Sequence, residues 1–368
     1  MGLTLTAADL PDLARGAAFL GTGGGGNPYI GRLMVERAMQ DTGRVVELMD
    51  LADVPDDALL IPTAMMGAPT CIVEKLPQGM EAAASLRRLE RHLGKTAFAT
   101  MPVEAGGVNS MIPLATALRL GIPVVDADGM GRAFPELFHE TFHVYGVPGT
   151  PMVITNDHHD QALIDTHDNF VMEWLARGLT IRMGGVAYIA EYPMDGATAK
   201  RTAIPGTIGV ALKIGRAIRE ARERHLDPFV QLVATLATTN YSVAKVIHTG
   251  KIVEVFRRTS DGFAKGRIRI EPLKAADWRD GDSLEIKFQN ENLIARTRDQ
   301  VLAVVPDLIC VLDAESAEPI TTEDLRYGQR VKVMAVSVPA IMRTPAALEV
   351  WGPRHFGYDL DFVSLADG

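Results

Sequence analysis

Cysteine is almost missing from this chain. Only Cys71 and Cys310 occur in 368 residues, far apart and outside any C-x-x-C pair. Two such residues cannot staple a fold of this size, so a reducing, cytoplasmic setting is expected, and both read as small apolar side chains. Positive charge is also short: 37 Lys+Arg stand against 46 Asp+Glu, a formal net charge of −9. No lysine- or arginine-rich run offsets it, which argues against nucleic acid as a partner. Long apolar runs are absent too. No stretch approaches roughly 18 uninterrupted apolar residues, and "MGLTLTAADLPDLARGAAFLG" lacks a basic segment ahead of an apolar core. Neither a membrane span nor a signal peptide is expected. What is present is a globular composition, 47% hydrophobic and 23% charged, long enough for two domains. The expected partners are a small molecule and further copies of the chain.

The pattern changes near residue 165. Before it, helix-like and strand-like pieces alternate: "RVVELM", "ALLIPT", "TAFATM" and "IPVVDA" read as short buried strands. "GVNSMIPLATALRLG" lies between the last two as an amphipathic helix closed by Gly121. This strand-helix-strand unit predicts a three-layer α/β sandwich with a mostly parallel sheet over 1–165. After it, "GGVAYIAEY", "KVIHTGKIVEVFRRT", "GRIRIEPL", "SLEIKFQNENLIART", "QVLAVVPDLICVLD" and "QRVKVMAVSV" alternate at period two or run apolar for strand length. With turn signals at 260–262 and 279–282, they predict an antiparallel, barrel-like β domain over 166–368. One helix, at about 206–225, interrupts it with a basic face that reads as solvated.

Five stretches carry chemistry. "GTGGGGNP" contains Gly21, Gly23 and Gly26 at dinucleotide-fingerprint spacing. That fingerprint needs a strand before the glycines, and residues 7–20 look helical, so no nicotinamide or flavin is expected. The local physics survives: backbone N–H groups of Thr22, Gly23, Gly24, Gly25 and Gly26 converge at a helix start and favour an anion. "MPVEAGGVNS" and "DADGMGRAFPE" follow predicted parallel strands, where open α/β sheets collect ligands. Glu104, Asp126 and Asp128 are candidate bases there, and Asn109 and Arg132 candidate substrate ligands. Glu74 and Lys75 sit beyond another strand end. Asn290, Glu291 and Asn292 interrupt an apolar pattern, as a bulge reaching a ligand would. Each group has a plain alternative in capping, turn chemistry or a solvated ion pair.

"FHETFH" adds His139-Glu140-Thr141-Phe142-His143, the H-E-x-x-H spacing that puts two imidazoles on one helical face. Gly149 stands where the longer zinc-protease motif needs its third histidine, and "VYGVPG" stops any helix by 146. His139 and His143 therefore remain weak metal candidates.

The strings "GAAFLGTGGGGNP", "EAGGVNS", "DADGMGRAFPEL", "IPGTIGVALKIGRAI", "GKIVEVFRRTSDGFAKG", "FQNENLIA" and "GPRHFGYD", in this order between residues 8 and 363, resemble the S-methyl thiohydantoin desulfurase family. The resemblance implies an α/β sandwich followed by a barrel-like domain. It also implies removal of sulfur from a thiohydantoin-type ring in the breakdown of histidine-derived thioimidazoles, with a functional link to a hydantoinase. For such a hydrolysis Glu104, Asp126 and Asp128 are the bases to test. Arg132, Lys75 and the glycine N–H groups would hold anionic parts, and a divalent metal such as zinc is one way to activate water. Two other readings stay open: a zinc-dependent peptide or amide hydrolase using His139 and His143, and a non-catalytic accessory subunit of a hydantoinase.

Overall fold

The computed structural model describes residues 2–67, 71, 77–260, 263–273 and 283–365. Glu74, Lys75 and the turn signals at 261–262 and 279–282 lie outside them.

In the first part of the chain, strands Val46–Asp50 and Val124–Asp128 pair in parallel. Leu3–Leu5 and Ile204–Pro205 flank them antiparallel on either side. The anticipated strands at 58–63 and 96–101 shrink to Leu59–Leu60 and to isolated parallel bridges at Ala99 and Thr100. Pro62 and Pro102 follow them, and proline has no N–H with which to extend a ladder. The anticipated mostly parallel sheet is therefore a mixed one, within a mixed α/β arrangement. The helix Ile112–Leu120 forms as expected and ends on Gly121 at φ 70.

A second sheet, fully antiparallel, runs in the order Thr63–Gly67, Val186–Ala190, Met152–Thr155, Gln161–Ile164. Val186–Ala190 belongs by sequence to the stretch expected in the barrel-like region. It pairs here instead, because all five residues are buried and both edges need a partner. The turn before Gln161 is the polar segment "NDHHD". The Asn156 side chain organises it by accepting the N–H groups of His158 and Asp160.

The later strands form a seven-stranded antiparallel sheet that curls into a half-barrel. Its order is Val301–Val304, Glu291–Arg296, Leu284–Gln289, Phe263–Pro272, Ala244–Ser260, Arg330–Val336, Leu308–Asp313. The long strand Ala244–Ser260 serves two neighbours and carries a register shift towards each, which lets the sheet bend. Leu308–Asp313 is buried on both faces: Leu308, Cys310 and Leu312 meet the helices, while Ile309 and Val311 face the inside of the curl. That double burial explains the unbroken apolar run "LICVL" and the place of Cys310, whose thiol is pushed up by desolvation.

The helix Leu10–Leu20 crosses the helix Thr207–Glu223 at backbone contact. A Cβ on Gly16 would lie 1.7 Å from the Ala211 carbonyl oxygen, and one on Gly215 would lie 1.7 Å from that of Asp12. The arginines read as a solvated face are engaged: Arg216 pairs with Asp9, Arg219 with Asp12 and Arg222 with Glu318. Among the described residues no helix is long and apolar enough to cross a membrane.

Candidate active site

A small cavity of about 60 Å³ sits where the two halves of the chain meet. Its walls come from the end of Thr63–Gly67, the loop after Val103, the segment Met130–Leu137, the helix Asn169–Arg182, the glycine loop and the hairpin tip at Asn290 and Glu291. Room on this scale holds on the order of five water-sized groups.

Three carboxylates line it: Glu136, partly exposed, and the buried Glu104 and Glu291. Glu104 accepts hydrogen bonds from the Asn109 side chain (2.8 Å) and the Phe134 N–H (3.3 Å). Burial, then the neighbouring Glu291 charge, push its carboxyl well above the usual range. Glu291 accepts the Gly25 N–H at 3.1 Å through Oε1. Desolvation raises its pKa to about 8, against the pull of the nearby Arg132 charge. Its Oε2 has no protein partner among the described residues. Glu291 can sit there because Asn290, at φ 58, makes a one-residue turn between two strands.

Of the glycine-loop N–H groups, that of Gly25 donates to Glu291. A Cβ on Gly24 would lie 2.1 Å from the Glu291 carboxylate, so the close approach requires glycine. Gly25 lines the cavity; Thr22, Gly23, Gly24 and Gly26 do not. Thr22 is buried, exchanging hydrogen bonds with Ile309. The Thr322 N–H donates to the Gly23 carbonyl, and the Asn292 N–H to that of Thr22, docking the loop on the half-barrel. A helix, Leu10–Leu20, precedes the glycines.

Asn109 lines the cavity and clamps the strand end, accepting the Met65 N–H and donating to its carbonyl. Arg132 is fully buried and donates to the carbonyls of Ala133, Asn292, Pro306 and Asp307. Its guanidinium also lies over the Phe134 ring. It ties the cavity wall to the half-barrel and does not line the cavity. The Asn292 side chain donates to Ile309 inside the half-barrel.

Asp126 and Asp128 also stand off. Asp126 accepts the N–H groups of Ile208 and Gly209, capping Thr207–Glu223 from outside that helix. Asp128 accepts those of Ala105 and Gly131, joining the two wall loops, and burial lifts it to about 7.

Sequence reading passed over Arg177 and Glu136. Arg177 is the cation on the cavity wall; it pairs with Glu173 one turn earlier, donates to the Pro135 carbonyl and lies over the Phe263 ring. The only sequence signal is an i, i+4 acidic-basic pair, which most helices present to water.

The H-E-x-x-H stretch is not a helix face. Only Thr141–Val144 is helical, with Glu140 at its N-cap position and His139 before it. His143 meets the Asn169 side chain through Nδ1 at 3.0 Å. His139 turns to His355 and Glu136 instead, and burial holds its ring neutral. Glu140 is buried beside Glu191. Neither carboxylate has a hydrogen-bond partner among the described residues, and burial followed by like charge raises both.

Family profiles match the chain almost end to end: "S-Me-THD-like, N-terminal domain" over residues 8–166 and "S-Me-THD-like, C-terminal domain" over 167–365. The chain belongs to the S-Me-THD-like family. A crystal structure of a protein from Chromobacterium violaceum is similar in fold to this S-Me-THD-like chain, with a TM-score of 0.79 and 23% identity, covering 99% of this chain and 100% of that one. No curated protein matches.

Proposed function

We propose that this S-Me-THD-like protein hydrolyses the exocyclic C–S bond of a thiohydantoin or S-methyl-thiohydantoin ring that carries a carboxylate. The observation that carries this reading is the pair of buried carboxylates, Glu104 and Glu291, on a cavity the size of a small ring. A peptide segment would need a longer cleft. Two neighbouring buried carboxyls that resist being charged together share one proton, and so divide into an acid and a base.

In this reading Glu291, with its pKa near 8, keeps its proton at neutral pH and donates it to the ring nitrogen next to the reacting carbon. Glu104, oriented by Asn109, carries the single negative charge of the pair in the reacting state and takes a proton from the attacking water. A C–O bond forms, the C–S bond breaks, and the sulfur leaves as sulfide or methanethiol carrying a proton. One water is consumed and nothing is oxidised or reduced. Arg177 holds the substrate's carboxylate by charge.

The test is incubation of the purified chain with 2-thiohydantoin and S-methyl-thiohydantoin acids, with assays for sulfide and methanethiol. Release of either supports the reading and names the leaving group. No release from folded protein across the panel sinks it and leaves the accessory-subunit reading in front. Arg177→Met is expected to raise KM about tenfold or more with a smaller change in kcat, as loss of uniform binding does.

A further inference from the structure

Beside the cavity, and independent of the reaction proposed for it, three side chains from two distant parts of the chain each bring a ligand atom to one spot. His139 Nε2 lies 3.0 Å from His355 Nε2. The same Glu136 Oε2 lies 3.5 Å from the first and 3.6 Å from the second. A direct hydrogen bond between the two rings accounts for the first distance. It does not account for the carboxylate, which stands nearly equidistant from both nitrogens and at or beyond the limit of a good hydrogen bond.

Three atoms at these separations lie on a circle of radius about 2.0 Å, close to the Zn–N and Zn–O bond lengths of roughly 2.0–2.2 Å. Their spacing is also near the edge of a tetrahedron built on such bonds, about 3.3 Å. We propose that Glu136, His139 and His355 form a three-ligand site for a divalent transition metal of the zinc class, with a fourth position left open. Two imidazoles and one carboxylate suit zinc better than the oxygen-seeking magnesium or calcium.

The surroundings fit. His139 is fully buried and ringed by Phe134, Phe138 and Phe356, with centroids 4.6 to 5.5 Å away. An apolar shell of this kind strengthens ligand bonds by excluding water. His355 is exposed, so the ion can enter from that side. Glu136 also lines the cavity, which places the ion on its rim. In this proposal the H-E-x-x-H stretch supplies one ligand, His139, and the second histidine comes from His355 rather than His143.

The experiment needs no turnover. Full-length protein stripped with a chelator is titrated with Zn²⁺ by calorimetry and with Co²⁺ by visible absorption. One equivalent should bind, and cobalt should give the intense bands of a four-coordinate ion. His355→Ala and Glu136→Gln should each weaken binding at least about tenfold, while His143→Ala should leave it unchanged. His355 is exposed and Glu136 only partly buried, and circular dichroism confirms that the variants fold. Wild-type affinity no better than that of His355→Ala overturns the proposal. So does a weak six-coordinate cobalt spectrum, or loss of binding in His143→Ala.

Discussion

At the scale of single residues, Glu104 and Asp126 are both acidic groups near the ends of predicted parallel strands, yet their surroundings give them different tasks. Glu104 faces the cavity beside Glu291, while both hydrogen-bonded N–H groups of Asp126 belong to a neighbouring helix start. Glu104→Gln is expected to lower kcat by about 10²-fold or more, the usual worth of a positioned base. Asp126→Ala should keep kcat and cost about 1 kcal/mol of stability, as a lost cap does. Steady-state kinetics and urea melts of the two variants separate these outcomes. Glu291 adds a pH signature. As the proton donor with a pKa of about 8, it loses its proton as pH rises through that value, so kcat should fall there. Glu291→Gln should lower kcat and remove that alkaline limb from the pH profile.

The helix pair Leu10–Leu20 and Thr207–Glu223 shows what elements contribute. Its glycines at 16 and 215 bring the two backbones together, and that approach sets where the glycine loop after Leu20 lands on the half-barrel. Gly16→Ala or Gly215→Ala puts a methyl group into a carbonyl oxygen and forces the helices apart. The expected loss is about 1–3 kcal/mol or more in a denaturant melt, with turnover falling as the glycine loop shifts. The ion pairs around the crossing, Asp9 with Arg216 and Asp12 with Arg219, are partly exposed and worth up to about 1 kcal/mol each. Close packing at the glycines outweighs them, so salt should weaken the pair only slightly.

For the molecule as a whole, the buried carboxylates set the response to pH. Asp307 at about 6, Asp128 at about 7 and Glu291 at about 8 all lie above their ordinary values of 3.8 and 4.5 because folding desolvates them. Between those ordinary values and about 8 these three groups bind more protons in the folded chain than in the unfolded one, so they make stability fall as pH rises, against an opposite contribution from His139, held neutral by burial, below about 6.5. Thermal melts at constant ionic strength should show Tm dropping from acid to mildly alkaline pH. Glu191→Gln removes one titrating carboxyl from the Glu140–Glu191 pair and should flatten the drop. A Tm that climbs across the same window would contradict this account of the buried acids.

The sequence by itself determined the period-two strands of the half-barrel, the helix ended by Gly121, and the family. Those signals are local: alternation, caps and quoted strings survive without knowing what packs where. It also marked Glu104 and Asn109 by their place after a strand, Gly25 by its glycine-rich loop, and Asn290 and Glu291 by interrupting an apolar pattern, and the fold brings these five to one cavity. Tertiary structure alone decided the rest. Asp126, Asp128 and Arg132 look equally chemical in sequence, but neighbouring backbone N–H and carbonyl groups claim them first. Arg177 and the Glu136–His139–His355 group were hidden because what unites their atoms is proximity across as many as 216 residues of chain. Sequence spacing reports only the partners within a turn or two, and a site assembled from distant segments exists only once the chain has closed on itself.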